Sequence, residues 1–418
     1  MMSNRKSWFW VPSLYFIEGL PYTLVINISV IMYTKLEISN AEMAFYTSWL
    51  YFPWVIKPLW SPFVDLLKSK RWWIIMTQFF FGACMAGLAF TIPTSFFFQS
   101  TLAFFWLLAF SSATHDIAAD GFYMFGLKEE EQAFFIGIRT TAYRLAMIFG
   151  QGFLVVLAGY VEKTTNDIRL SWSVVFFISA FILIAGAIYH QFALPRPTSD
   201  VSDSEQSFSS IMAGFSRTFS DFFSKKGIGL ALFFILTYRL SESQLLKLAS
   251  PFLLDKRMDG GLGLTTEKFG LLYGTLGPCA LILGGILGGI AISKNGLKKW
   301  LWPMALSLSL PHLAYVYLSS VLPESVYLIG FCVVLEQFGY GFGLTAFTMY
   351  LIRISEGKYK TSHYAFGTGF MALGMMLPGM VSGWIQGQIG YQMFFVWVMI
   401  CSIPGFIATA LVAKKLDS

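Results

Sequence analysis

The sequence is short of charge. Asp, Glu, Lys and Arg make up 12% of its 418 residues, about half the share of an ordinary soluble domain, which is too little to clothe a folded surface in water. Cysteine is scarce as well. The four present, Cys84, Cys279, Cys332 and Cys401, each lie inside an apolar stretch, so they read as small hydrophobes and not as a disulfide or zinc framework. There is no Gly-x-x-x-x-Gly-Lys-Ser/Thr loop, no His-Glu-x-x-His pair and no Cys-x-x-Cys pair. ATP-phosphate binding, zinc hydrolysis and dithiol exchange therefore have no visible carrier, and neither enzyme activity, metal nor cofactor is expected. A cleavable leader is not expected either: Asn4-Arg5-Lys6 runs into a long apolar stretch from Trp8 without a small-residue cleavage site, and that stretch is expected to be the first permanent helix.

What is abundant is apolar and aromatic. Hydrophobic residues reach 56%, with 43 Phe and 13 Trp, and the mean hydropathy is +0.62. Such a chain is solvated by lipid, with aromatic residues at headgroup level. Apolar segments long enough to cross a hydrocarbon core of ~30 Å fall near 8–36, 42–66, 72–92, 99–124, 133–160 and 172–194, and again near 227–254, 266–292, 299–319, 325–351, 361–387 and 391–413. That gives an all-α integral membrane fold of twelve transmembrane helices in two sets of six. The expected domains are residues 1–194, a linker at 195–226 and residues 227–418. The linker is rich in Ser, Asp, Glu and Lys and suits a short amphipathic helix around Phe208 to Phe223.

The net charge of +6 matters less than its placement, and no nucleic-acid partner is expected from it. Arg5, Lys6, Lys68, Lys70, Arg71, Lys128, Arg196, Arg217, Lys225, Lys226, Lys294, Lys298, Lys299, Arg353, Lys358, Lys360, Lys414 and Lys415 share the side of the two termini. Only Lys35, Lys163, Arg169, Lys256, Arg257 and Lys268 lie opposite. The ratio of about three to one puts both termini and the linker in the cytoplasm. Localisation in the inner (plasma) membrane follows as the expectation. The two halves echo each other weakly: Lys70-Arg71-Trp72 follows the second segment and Lys298-Lys299-Trp300 the eighth.

Charges inside a membrane segment are costly unless they face protein or water, so they mark candidate sites. Acids occur in the first, fourth, seventh and tenth segments: Glu18; Asp116 and Asp120; Glu242; Glu336. The third, sixth, ninth and twelfth carry no charge in their interiors. Asp116 and Asp120 share a helical face, as do Arg239 and Glu242. Two close acids raise each other's proton affinity unless a cation intervenes, and Arg139 or Arg144 on the next segment is expected to be that cation. Lys57 lies in the second segment and Lys247 in the seventh. His115 adjoins the acid pair as a possible relay. Gly284-Gly285 and Gly288-Gly289 suit close helix contact. Tyr15, Tyr22 and Tyr340 offer an apolar face with a hydroxyl for an amphipathic solute.

Several strings resemble the AmpG-type muropeptide permeases and the related acetyl-CoA transporters, a branch of the major facilitator superfamily. They are Tyr15-Phe16-Ile17-Glu18-Gly19-Leu20-Pro21, the run from Ile56-Lys57-Pro58 through Trp60-Ser61-Pro62 to Asp65, Asp116-Ile117-Ala118-Ala119-Asp120, Ala142-Tyr143-Arg144 and Gly284 to Gly289. The resemblance implies two six-helix bundles, a cavity lined by the first, fourth, seventh and tenth helices, and alternating access. It implies a monomeric secondary transporter taking up cell-wall sugar-peptide fragments with protons. Iron-chelate (siderophore) permeases share the general signature and give the alternative substrate. Coupling or binding is then expected at Glu18, Asp116, Asp120, Arg144, Glu242, Glu336, Arg239 and Lys57. Gating is expected at Asp65, Lys68, Lys70, Arg71 and Arg139, where the superfamily has its acidic and basic loop; here Ser61, Leu66 and Lys68 depart from that loop's usual Gly, Arg and Gly.

Overall fold

The computed structural model describes residues 2–127, 129–197, 200, 208–357 and 359–417, with the side chains of 2–6, 62, 65, 66, 125, 129, 130, 133, 134, 136, 208–212, 361, 416 and 417 left out. The described elements are all helical. In hydrocarbon no water can satisfy a backbone amide, so a helix, which bonds its own, is the form each segment must take. The hydroxyls follow the same rule: Thr23 donates to Gly19 O at 2.9 Å, Ser29 to Val25 O at 2.5 Å and Thr34 to Val30 O at 2.9 Å.

Among the described residues eight helices are long and apolar enough to cross a membrane, fewer than twelve for two reasons. Two of the eight, residues 266–321 and 362–415, are more than 50 residues long and each contains a glycine with positive φ, Gly296 at 78° and Gly390 at 71°. Only glycine turns this way without strain, so each is two helices. Two further crossings are interrupted: 40–67 breaks between Asn40–Trp49 and Phe52–Leu67, and 228–254 between Ile228–Thr237 and Leu240–Leu254. The twelve are numbered here α1 (2–35), α2 (40–67), α3 (70–91), α4 (97–126), α5 (129–165), α6 (168–193), α7 (228–254), α8 (266–295), α9 (297–321), α10 (326–355), α11 (360–389) and α12 (391–417). Side-chain oxygens start many of them: Ser39, Ser69, Asp167, Thr265 and Ser325 accept from the amide three residues on, replacing a bond that the helix itself cannot make.

The chain forms two compact units, residues 1–29 with 56–211 and residues 30–55 with 212–418. The first is centred on Trp10, Leu14, Ile74, Ala118, Phe122 and Phe135, with the Trp10 and Phe122 rings edge to face at 5.2 Å. In the second, α8 and α10 pack almost backbone to backbone. A Cβ on Gly284 would lie 2.3 Å from Phe338 O, and one on Gly341 2.0 Å from Leu281 O. Gly284 and Gly288 take part in this contact; Gly289, on another face, has nothing within 4 Å.

The start of α2 belongs to the second unit by the same means: a Cβ on Gly383 of α11 would meet Asn40 O at 1.9 Å. Both parts of the linker that are described are tied down within a unit. Asp200 accepts from the amides of Lys70 and Arg71 at 2.7 and 3.0 Å, at the positive start of α3. The amphipathic helix Phe208–Ser224 lays Phe222 against Phe366 and Phe370 of α11. Lys225 then donates to Ile354 O and Glu356 O at the end of α10, at 2.7 and 2.8 Å.

Candidate functional site

The first unit gathers five charged groups from four helices. On α1, Glu18 stands one turn from Tyr15; α2 brings Lys57, α4 brings Asp116 and Asp120, and α5 brings Arg139. Lys57 bonds Asp116 directly. Arg139 Nη2 donates to Asp120 Oδ1 at 2.7 Å, and its guanidinium lies 4.4 Å from the centre of the Tyr15 ring and 5.0 Å from that of Tyr123. Tyr15 OH points at the same Asp120 oxygen from 3.5 Å. Arg139, read from the sequence as a gating residue, is thus the cation beside Asp120. Arg144, the other arginine offered for that place, makes no ion pair among the described residues.

The pairing leaves one acid over. Glu18 is 6% exposed and its Oε2 has no hydrogen-bond partner, whereas the Asp120 side chain is 43% exposed. Tyr15, expected to face a solute, is instead buried at 1% with its ring against Tyr123. Tyr22 is half-buried and leans on Tyr143, with ring centres 6.4 Å apart.

Beside this cluster runs a buried polar chain that the sequence did not suggest. Ser13 Oγ meets His190 Nε2 at 3.0 Å, His190 Nδ1 donates to Gln78 Oε1 at 2.8 Å, and Gln78 Nε2 donates to His115 Nε2 at 2.9 Å. Joining residues up to 177 apart in sequence, it ties α1, α3, α4 and α6 together next to Asp116. The glutamine amide is not a titrating group, and the chain holds the His115 ring in place beside Asp116.

In the second unit, α7 breaks at Tyr238-Arg239, and Arg239 stands at the start of the helix that resumes. The break lets its guanidinium fold onto Glu242 one turn on, with Nε and Nη2 donating to the two carboxylate oxygens at 2.9 and 2.8 Å. Nη2 also donates to Tyr340 OH at 3.0 Å. Glu336 on α10 is 1% exposed; Gln337 donates to one of its oxygens at 2.9 Å while the other has no partner. Beyond the end of α7, Asp255 accepts from Tyr391 OH at 2.5 Å and from Asn40 Nδ2 at 3.4 Å. Burial holds its carboxyl above the usual range, although these two hydrogen bonds pull the other way.

Of the expected gating residues, Arg71 donates to Gln191 O at 2.5 Å and Leu194 O at 3.4 Å at the end of α6. The stem of Lys70 covers Gly121, and Lys68 is exposed. The side chain of Asp65 lies outside the described residues.

This chain belongs to the Major Facilitator Superfamily, whose family profile matches residues 13–355. It is a multi-span membrane transport protein, not an enzyme. Among curated relatives, the anhydromuropeptide permease of Escherichia coli (strain K12) is 26% identical over 408 residues, covering 96% of this chain and 79% of that protein. The putative transporter AmpG 4 of Rickettsia conorii is 23% identical over 420 residues, covering 96% and 95%. Among solved structures, a bacterial homologue of the human lysosomal transporter Spinster superposes with a TM-score of 0.73 at 16% identity over 98% of this chain and 97% of that one. The nucleoside transporter NupG gives 0.70 at 15% over 99% of each chain. These likenesses concern the fold.

Proposed function

We propose that the chain is a proton-coupled importer of a sugar-peptide fragment of the cell wall, working by alternating access in the inner membrane with both termini in the cytoplasm. The observation that carries the coupling is the surplus acid of the first unit: three carboxylates against two cations, with Glu18 the one left unpaired and buried. Glu18 takes the proton, because it is buried without a cation among the described residues while Asp116 and Asp120 already have theirs. Asp116 and Asp120, the first choice from sequence, then bind and orient together with Lys57 and Arg139. Without ATP chemistry, accumulation draws on an ion gradient, and one charge moving through 100 mV supplies about 2.3 kcal/mol.

The substrate class rests on the relative named anhydromuropeptide permease, 26% identical over 96% of this chain. Half-exposed Arg139 and Asp120, with Tyr22, suit a ligand bearing hydroxyl, amide and carboxylate groups. Reconstituted protein should take up anhydro-sugar peptides and not iron chelates. Uptake of the chelates alone would replace this substrate assignment, and uptake of neither would end it.

A further inference from the structure

The second unit carries a crevice of about 350 Å³ between α7, α11 and α12. It opens where the three helices part. At the level of the break in α7 they touch through bare backbone: a Cβ on Gly405 of α12 would lie 2.9 Å from Thr237 O, and one on Gly374 of α11 3.5 Å from Leu236 O. Beyond that level each helix is interrupted or bent. The second part of α7 starts at Leu240, α11 contains Pro378, which cannot bond the carbonyl one turn back, and α12 breaks at Cys401-Ser402 just ahead of Pro404. The walls so formed include Leu240 and Gln244, Pro378 and Val381, and Trp397 and Ile400. Gln244 is 2% exposed and uses both ends of its amide within the protein: Oε1 accepts from Trp397 Nε1 at 2.9 Å and Nε2 donates to Leu240 O at 3.3 Å. What faces the space is almost all carbon.

Chemistry excludes two occupants. Water needs two or more polar partners, and a charged or polar solute would lose its hydration against walls that return no hydrogen bond. The mouth settles the third. Val381, Trp397 and Ile400 are 48%, 38% and 51% exposed and lie inside the apolar stretch Ser362–Lys415, so the space is continuous with the hydrocarbon around the span. We propose that the crevice is a lipid site that holds one acyl chain by its tail and not by its headgroup. No hydrophobic effect drives a chain from hydrocarbon into protein; the fit does, because an unfilled crevice forfeits dispersion contacts along its whole lining. A cavity of ~150 Å³ takes one benzene, so this one has room for a chain segment of roughly a dozen carbons. Leu240 directly follows Arg239, so the chain packs against the turn that presents Arg239 to Glu242.

The test uses the purified full chain in digitonin, a steroid detergent without an acyl chain of its own. Palmitate carrying a mid-chain diazirine is titrated in, crosslinked by light, and its adducts are mapped by peptide mass spectrometry. Adducts on residues 378–385 and 397–404 should saturate, and excess unlabelled palmitate should lower them at least about threefold. Those on residues 181–188 of α6, where Phe181 and Ile188 are 74% and 48% exposed, should rise without saturation and resist competition. Lysophosphatidylcholine with the same chain should compete as palmitate does. Ile400→Trp fills the mouth from an exposed position and should bring the adducts to the α6 level, whereas Ile188→Trp should leave them unchanged; if Ile400→Trp does not fold, Val381→Trp carries the same test. The proposal is overturned if crevice and α6 adducts behave alike, if palmitate competes and lysophosphatidylcholine does not, which marks a carboxylate site, or if the filled variant labels like the wild type. No step of this assay involves transport, so its failure leaves the uptake reading standing.

Discussion

Replacing Gly341 by Ala isolates the contact that holds α8 to α10. The added Cβ would sit 2.0 Å from Leu281 O, 2.7 Å from Leu281 C and 2.9 Å from Leu281 Cα. All three are backbone atoms, so no side chain can rotate away. A carbon meets a carbonyl oxygen comfortably at about 3.3 Å, and the helices must part by about 1.3 Å over a contact that also includes Gly284 and Gly288. Overpacking of this kind costs about 1–3 kcal/mol, against a gain of up to about 1 kcal/mol from the better helix propensity of Ala. The expected net loss is about 1–2 kcal/mol, read as a lower Tm in detergent. Gly289→Ala on the same pair of helices is the control, because nothing lies within 4 Å of its Cβ; it should leave Tm unchanged or raise it. Equal effects of the two substitutions would refute the packing argument.

Three further outcomes are expected. Arg139→Leu leaves Glu18, Asp116 and Asp120 facing Lys57 alone, so uptake should fall at least tenfold; adding Asp120→Asn should restore Tm but not uptake, whereas recovery of both would show that the pair is only structural. Because burial raises the Asp255 carboxyl, the folded chain holds that proton more tightly than the unfolded one. Stability is then greatest below the ordinary Asp value of about 3.9 and declines as pH rises through the folded value; Asp255→Asn should flatten this part of a Tm–pH profile, and an unchanged profile would contradict it. Single cysteines in the 195–226 linker should react with membrane-impermeant maleimide only after cells are opened, and labelling of intact cells would reverse the proposed orientation.

Lengths and polarity of the segments were readable because crossing a bilayer demands about twenty apolar residues whatever their neighbours. The stripe of the linker helix was readable too, since Phe215, Phe219 and Phe222 recur at helical spacing. Pairing was not. A membrane helix is apolar nearly all round, so periodicity does not say which face meets which helix. Arg139 and Arg144 were equivalent on sequence, and only packing gives Asp120 to Arg139. Lys57 and Asp116 are 59 residues apart, Lys247 and Thr47 200 apart, and no local pattern joins them. The same limit hid the placement of residues 30–55 with the second unit, which depends on the bare backbone of Gly379 and Gly383.

The central claim is that Glu18 carries the coupled proton. Proteoliposomes loaded with a pH-sensitive dye, with no initial pH gradient, are given an anhydro-sugar peptide outside. The wild type should acidify the lumen as the solute enters, and Glu18→Gln should admit solute down its gradient, and exchange it in counterflow, with no acidification. Solute entry without proton movement in the wild type, or undiminished acidification in Glu18→Gln, would contradict the account.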